Sequence, residues 1–253
     1  MRKLLIAMVL VVPAVARAEH EHGMHSEPDA HAKVSVGAMA ASYRSHLFEG
    51  EYQGAVVRAS YVSRSFEIGA SNALYRIVRN GKPDRGLGDL TVFGNANLFA
   101  RGSSTGGAHV MAMLPTGDAM LGLGMGHVML MPALWYAWTP DAGSLSVALG
   151  YSQAIGGGHV HAAHGGGGWP LVDPMTASEM IYDVTGLVRL DTGLHVGARS
   201  FGAVPSGDEV SRMGGALLLQ FRRGRITTSV ELQQGWFGDP FRVRGLASTS
   251  MRL

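Results

Sequence analysis

The stretch Leu145-Ser146-Val147-Ala148-Leu149-Gly150-Tyr151-Ser152 alternates between larger apolar side chains and small or polar ones. Residues 179–190 alternate in the same way, with apolar side chains at Met180, Tyr182, Val184, Val188 and Leu190. A period of two with one apolar and one polar face predicts a β-strand that separates two different environments. We therefore interpret residues 145–190 as a hairpin whose two arms carry one long loop.

The composition restricts the class of protein. Of the 253 residues, 46% are hydrophobic and only 16% are charged, against roughly 25% charged residues in a typical soluble domain. The 36 glycines are spread along the chain, which argues against long helices. The net charge of +2 gives no indication of a nucleic-acid partner. The absence of cysteine excludes disulfides and thiolate metal sites.

The chain divides into three predicted segments. Residues 1–18 combine a charged start, a short apolar run and the sequence Ala16-Arg17-Ala18, which is the pattern of a secretory signal peptide. Residues 19–33 are polar and rich in histidine, and we expect a flexible periplasmic tail because this segment lacks the apolar content to pack. Residues 34–253 form the predicted β-domain.

Twelve candidate strands follow one another in the β-domain. They lie at 34–44, 53–63, 66–77, 88–100, 107–115, 127–138, 143–153, 179–190, 193–202, 211–221, 226–235 and 241–252. Each has about ten residues, the length of a tilted strand that crosses a bilayer. Short connections alternate with mostly longer ones, such as 78–87, as in bacterial outer-membrane barrels. We predict an all-β fold, a single antiparallel transmembrane β-barrel of about 12 strands with periplasmic termini. A secreted β-sandwich, with shorter strands and a more charged surface, is the alternative.

The alternation also predicts which side chains face the lumen. An arginine that faces lipid at the bilayer midplane costs about 2–4 kcal/mol, so charged residues belong inside. In the last strand, this places Phe241 and Val243 towards lipid. The predicted lumen-lining charges are Glu179, Asp183, Arg189, Arg199, Glu231, Arg242 and Arg244.

Three features of the pattern concern individual strands. The alternation weakens near Asn72, and residues 127–138 are apolar on both faces with Pro132 inside the segment. Aromatic residues near strand ends predict a girdle at the membrane interface. These residues are Trp135, Tyr136, Trp138 and Trp236.

Two glycine-containing motifs carry a family resemblance. Gly86-Leu87-Gly88-Asp89-Leu90 opens the fourth predicted strand, and Leu114-Pro115-Thr116-Gly117-Asp118 closes the fifth, before Leu121-Gly122-Leu123-Gly124. Together they resemble the outer-membrane barrels of the meta-pathway phenol-degradation transporter family, over residues 86–151. The resemblance implies passage of small, often hydrophobic molecules and brings no catalytic motif. By composition alone, the two motifs indicate a strand start and a turn.

Histidines recur in two windows with the spacing H-x-H-x-x-H: His20, His22 and His25 in the tail, and His159, His161 and His164 in the longest predicted loop. Imidazoles at short spacing suit Zn²⁺, Cu²⁺ or Ni²⁺, and we treat these six as candidate metal ligands. Asp173, Met175 and Glu179 are candidates to complete the loop site. Adventitious binding by a histidine-rich loop is the alternative.

Other histidines and methionines have simpler interpretations. We interpret His46, His109, His127 and His195 as interface or lumen residues. The methionines between Met111 and Met131 suggest lipid-facing or gap-filling side chains more than a copper path.

These observations predict a channel or transporter for small solutes in the outer membrane, with transition-metal handling through the histidine-rich tail and loop. The alternative is a metal-binding or metal-sensing surface protein that uses the barrel as an anchor, without an open pore. An outer-membrane enzyme, such as a lipid hydrolase or acyltransferase, is a third class, but no G-x-S-x-G motif accompanies His109 or His195. We therefore expect no enzymatic activity and no required cofactor, with Cu, Zn or Ni as the candidate metal ion. The expected partners are outer-membrane lipid, the insertion machinery and a small-molecule or metal-ion solute, but no nucleic acid.

Overall fold

A computed structural model describes residues 30–44, 49–156, 178–207, 210–238 and 241–253. The strands are β1 (Ala30–Arg44), β2 (Glu49–Ser63), β3 (Phe66–Arg79), β4 (Lys82–Leu87), β5 (Leu90–Arg101), β6 (Ser104–Leu114), β7 (Val128–Trp138), β8 (Gly143–Ile155), β9 (Ser178–Arg189), β10 (Leu194–Pro205), β11 (Arg212–Arg223), β12 (Ile226–Phe237) and β13 (Phe241–Arg252). In the described ranges, no helix is long and apolar enough to span a bilayer.

The sheet closes on itself through its first and last strands. β1 pairs antiparallel with β13, from Lys33 opposite Arg252 to Tyr43 opposite Phe241. Every strand of the ring pairs antiparallel with its two neighbours, and β4 pairs with the loop-proximal half of β3, on the same edge whose other half pairs with β5. The prediction of one antiparallel barrel of twelve strands is confirmed, with β4 as one additional strand.

Connection lengths give the barrel two different ends. At the end that we name the turn end, the strands are joined by residues 64–65, 102–103, 139–142, 190–193 and 224–225. The two longest connections, residues 115–127 and 156–177, lie at the opposite end, the loop end. One of the predicted loops, residues 78–87, is instead a hairpin of β3 and β4. Its turn is Asn80-Gly81, with φ values of 48° and 81°, the left-handed backbone that a two-residue type I′ turn requires.

β1 begins earlier than predicted, at Ala30. Lys33 faces Ser60 of β2 and Arg252 of β13, and the amide of Leu253 donates to the carbonyl of Ala32 over 2.8 Å. The segment 30–33 therefore belongs to the barrel wall and not to the tail. The segment contains only alanine, histidine and lysine, so it lacks the larger apolar side chains whose alternation would have predicted a strand.

The outer face of the barrel is an exposed apolar belt. Side chains such as Leu134, Leu149 and Leu217 are 65%, 53% and 68% exposed. A continuous exposed surface of this kind is unfavourable in water and is suited to lipid. Exposed aromatic residues gather at the turn end, as expected of an interfacial girdle. They are Tyr61, Phe66, Phe99, Tyr136, Trp138 and Phe221.

The aromatic prediction is wrong for Trp135. This side chain is 9% exposed and points inwards, and its Nε1 donates to Asn95 Oδ1 over 2.8 Å. Because β7 is apolar on both faces, its sequence did not reveal which tryptophan faces lipid. Trp236, at 58% exposure near the loop end, lies on the surface as predicted.

The two irregular strands keep their alternation. In β3, Asn72 lies on the outer face, where its Nδ2 donates to the carbonyl of Gly88 over 3.4 Å. Pro132 is exposed on the outer face of β7, and the pairing with β8 is interrupted between Leu130 and Ala133. A proline has no amide hydrogen to contribute to the ladder, which explains the interruption.

These pairings predict how far the N-terminal segment can be removed. We expect a variant that lacks residues 19–29 to insert into detergent or lipid like the wild type, because none of its barrel-closing pairs is lost. A variant that lacks residues 19–40 loses most of the β1–β13 pairs and should not close. The heat-dependent shift of folded barrels in SDS gels distinguishes the two. Failure of the shorter deletion to fold would show that residues 19–29 are part of the folded barrel.

Candidate functional site: the barrel lumen

A network of charged side chains lines one wall of the lumen, about halfway along the strands β9, β10, β12 and β13. Arg199 of β10 donates from Nε to Asp183 of β9 and from Nη1 to Glu231 of β12 over 3.0 Å. The side chains of Arg199, Asp183 and Glu231 are 8%, 11% and 3% exposed. Gln233 connects Glu231, over 2.6 Å, to the Nε of Arg244 on β13. Buried charges of this kind are stable only when paired and hydrogen-bonded, as they are here.

The opposite wall carries a second group. Arg58 of β2 lies 3.4 Å from Glu67 of β3, and its guanidinium stacks 3.7 Å above the ring centroid of Phe93. His109 of β6 stacks against the same ring, with centroids 6.5 Å apart, and is 7% exposed. His109 is therefore a lumen residue, one of the two interpretations made from its sequence. Arg58 and Glu67 were not among the predicted lumen residues, although both follow the alternation of their strands.

A third pair lies towards the loop end. Arg212 of β11 donates from Nη2 to both carboxylate oxygens of Glu179, over 2.6 and 2.7 Å, and Glu179 is fully buried. Glu179 therefore faces the lumen, and an arginine occupies both of its oxygens. The proposed partners of Glu179 in a metal site, Asp173 and Met175, lie outside the described residues.

Two of the predicted lumen arginines have other positions. Arg242 is exposed, because a β-bulge near the start of β13 pairs Tyr43 with Phe241 and Ser42 with Val243. The extra residue reverses the phase, so Phe241 is 5% exposed inside the barrel. The assignments of Arg242 to the lumen and of Phe241 to lipid are therefore wrong. Arg189 is exposed at the turn end of β9, opposite His195, at the mouth and not inside.

Apolar side chains fill the loop half of the lumen between β13, β1, β2 and β3. The members of this apolar lumen cluster are Met39, Ala41, Tyr43, Tyr52, Ala73, Tyr75, Ile77, Leu123, Phe241 and Leu246. Tyr52, Ile77 and Leu246 are fully buried, and Tyr52 makes edge contacts with Tyr75 and Phe241 at 6.2 and 5.6 Å. One member, Leu123, belongs to the connection between β6 and β7. That connection, residues 115–127, is therefore folded into the barrel, and we name it the inner loop.

The carboxylate of Asp89 holds the inner loop in place. Asp89 lies in the two-residue break between β4 and β5, and it is 8% exposed. Its Oδ1 accepts the amide of Gly117 over 2.9 Å, and its Oδ2 accepts the amide of Met125 over 2.7 Å. Both ends of the inner loop are thus bound to one side chain of the wall. Hydrogen bonds to an ionised acceptor are about twice as strong as neutral ones.

A threonine adds to this attachment. The hydroxyl of Thr116 accepts the amide of Leu90 over 2.8 Å and donates to the carbonyl of Gly88 over 3.3 Å. A Cβ on Gly117 would lie 2.7 Å from the carbonyl oxygen of Leu123, so glycine is required for the close approach. The two glycine-containing sequence motifs are therefore hydrogen-bonded to each other, although they lie 28 residues apart in the chain.

The six histidines that we predicted as metal ligands lie outside the described residues. Among the residues that the structure does describe, no three histidine, aspartate or glutamate side chains are grouped as a metal site. Metal binding at His20, His22, His25, His159, His161 and His164 stays a prediction.

Comparisons with solved structures agree with this architecture. An outer-membrane channel from Pseudomonas putida F1 superimposes with a TM-score of 0.69 at 10% identity, over 92% of this chain and 99% of that chain. The NanC porin gives 0.54 at 10% identity, over 86% and 98% of the two chains. The KdgM porin gives 0.51 at 9% identity, over 87% and 98%. The chain has the fold of an outer-membrane channel.

No family model and no curated relative matches the chain. The similarity to the meta-pathway phenol-degradation transporters therefore stays a resemblance that rests on two sequence motifs. At identities near 10%, the similarity to the solved structures shows the barrel fold and does not identify a solute.

The network around Arg199 predicts a change in ion selectivity. Replacing Glu231 by glutamine removes one of the two carboxylates bound to Arg199 and leaves uncompensated positive charge in the lumen. We expect the reversal potential in a salt gradient to shift towards anions, and the barrel to lose about 1–3 kcal/mol of stability. The control is E51Q, because the Glu51–Arg76 pair is 3.8 Å long and largely exposed. Equal selectivity in the wild type and E231Q would mean that ions do not pass this network.

Proposed function

We propose that the protein is an outer-membrane channel for small solutes of low net charge. The observation that carries this proposal is a closed barrel with an apolar exterior and a lumen that combines paired charges with an apolar section. In outer-membrane barrels, the short turns lie in the periplasm. The turn end accordingly faces the periplasm, and the inner loop enters the lumen from the cell surface.

The pairing of charges supports solutes of low net charge. The lumen groups contain Arg58, Arg199, Arg212 and Arg244, with the carboxylates Glu67, Glu179, Asp183 and Glu231. Within these three groups, four positive and four negative formal charges sum to zero, and Asp89 adds one negative charge that backbone amides of the inner loop bind. A lumen selective for anionic solutes needs an excess of one sign, because selectivity by rings of charge depends on the net field.

The apolar lumen cluster supports solutes with some apolar surface. It lies between the inner loop and the wall, so a solute that enters from outside meets aromatic edges and aliphatic side chains before the charged network. We infer that the inner loop narrows the path beside β13, β1, β2 and β3, because Leu123 packs inside the cluster at 2% exposure. The attachment at Asp89 would then set the position of this constriction.

Metal handling is a second part of the proposal. The two histidine windows have the spacing that suits transition metals, one in the predicted periplasmic tail and one in the longest loop. Binding there would place metal ions at both mouths of the barrel. Replacing the three histidines of one window by alanine should then lower the Zn²⁺ or Cu²⁺ stoichiometry without affecting insertion.

Solute uptake into liposomes tests the channel and the inner loop together. We expect phenyl glucoside, which is uncharged and has an apolar ring, to enter several-fold faster than glucuronate through the wild-type protein. D89A should accelerate the entry of both solutes, because it removes the acceptor for the amides of Gly117 and Met125. The control is D141A, which changes an exposed aspartate in a turn at the other end.

Two results would contradict the proposal. Faster entry of glucuronate would show that the lumen prefers anions. No uptake through a protein that is fully inserted, judged by its heat-dependent gel shift, would favour the anchored metal-binding protein instead. If D89A does not fold, T116V tests the same attachment, because it removes only the hydroxyl bonds to Gly88 and Leu90.

A further inference from the structure

Four methionines form a square on the lumen face of two neighbouring strands. In the register of β6 and β7, Met111 lies opposite Met131, and Met113 lies opposite Met129. Directly opposed side chains on one face have Cβ atoms roughly 4.5–5.5 Å apart, so the four thioethers are close enough to converge. Met113, Met129 and Met131 are 9%, 0% and 2% exposed.

The inner loop brings two more donor groups to this square. Met125, which is 1% exposed, packs in the same cluster as Met113, Met129 and Met131. His127 is 4% exposed, and its Nε2 lies 3.0 Å from the Sδ of Met129. Five thioether sulfurs and one imidazole therefore meet in one buried region, drawn from two strands and a loop.

A hydrogen bond to Asp89 and the backbone conformation of Gly126 position the two loop residues, Met125 and His127. The amide of Met125 donates to Asp89 Oδ2 over 2.7 Å, which holds the backbone of this residue beside the cluster that its side chain joins. Gly126, between Met125 and His127, has a φ of 73°, a left-handed backbone that lets the chain turn both side chains towards β7. The carboxylate of Asp89 also lies close enough to His127 for an electrostatic interaction.

The chemistry of this set selects a class of ligand. Thioethers and a neutral imidazole are soft donors, which suit Cu⁺ and not Mg²⁺, Ca²⁺ or Mn²⁺. All six groups can be neutral, so a monovalent cation adds a single charge, and the carboxylate of Asp89 interacts with one of the donors, His127. Gap filling by methionine explains buried thioethers one at a time. It does not explain two opposed pairs, a fifth methionine and an imidazole nitrogen at 3.0 Å from a sulfur.

We propose that Met113, Met125, Met129 and His127 form a binding site for a soft monovalent cation, Cu⁺ or Ag⁺, with Met111 and Met131 at its edge. The site lies inside the lumen on the cell-surface side of the charged network. It is distinct from the two predicted histidine windows, and it binds whether or not the channel conducts. Because Met125 and His127 belong to the inner loop, a bound cation ties that loop to β6 and β7 as well as to Asp89.

Silver ion is the probe, because it does not change its oxidation state during the measurement. The background protein is the full chain with the substitutions H20A, H22A, H25A, H159A, H161A and H164A, so that the histidine windows do not compete. Ag⁺ is titrated calorimetrically into this folded protein in detergent, and the bound sample is examined by X-ray absorption. We expect one ion per barrel with sulfur neighbours, and Zn²⁺ should not bind at this site.

The matched variants are the double substitution M125L/M129L and the control M39L. Leucine has nearly the volume of methionine, so the barrel should fold, which the gel shift verifies. We expect M125L/M129L to weaken Ag⁺ binding by at least the roughly 10–100-fold that loss of a supporting partner costs a metal site. M39L changes a buried lumen methionine of the apolar lumen cluster and should bind like the background.

Three outcomes overturn the proposal: no Ag⁺ binding to the background protein, equal affinity in M125L/M129L, or neighbours of the bound ion that are only nitrogen and oxygen. None of these three outcomes contradicts the proposed channel function, which the uptake of uncharged solutes tests separately. Conversely, a protein that binds Ag⁺ as described but admits no solute would retain the cation site and lose the channel.

Discussion

One carboxylate, that of Asp89, determines what the interior of this barrel is like. Its two oxygens bind the amides of Gly117 and Met125, and so it attaches both ends of the inner loop to the wall. The loop that is attached in this way contributes Leu123 to the apolar lumen cluster and Met125 to the methionine square. A buried carboxylate is stable only with such partners, so the loop and the wall depend on each other.

Closure of the sheet imposes the second constraint, because every residue of a strand must face either lipid or the lumen. The protein meets it with aliphatic side chains outside and paired charges inside, and with bulges where the phase must change. Asn72 illustrates the balance on the outer face. Its amide would be unfavourable towards lipid, but it donates to the carbonyl of Gly88, which the break between β4 and β5 leaves outside the regular ladder.

The sequence predicts most of the strands but few of the contacts that side chains make inside the barrel. Strict alternation and alternating connection lengths predicted twelve strands, since both follow from crossing a membrane. Arg242 was misassigned because Phe241-Arg242-Val243-Arg244 alternates without interruption, and a bulge is a property of pairing with β1, not of the strand itself. Trp135 was misassigned because β7 has apolar side chains on both faces. The motifs around Asp89 and Gly117 were identified, but a contact across 28 residues leaves no local pattern.

The central claim is that the inner loop controls passage through the barrel, and a reversible cross-link tests it most directly. A Cβ on Gly86 would lie 2.6 Å from Cδ1 of Leu123, and the chain has no cysteine of its own. In the variant G86C/L123C, oxidation should join the loop to the wall. We predict that uptake of phenyl glucoside into liposomes falls on oxidation and returns on reduction, while each single variant is insensitive to both. A cross-link that forms completely and leaves uptake unchanged would show that solutes pass without movement of the inner loop.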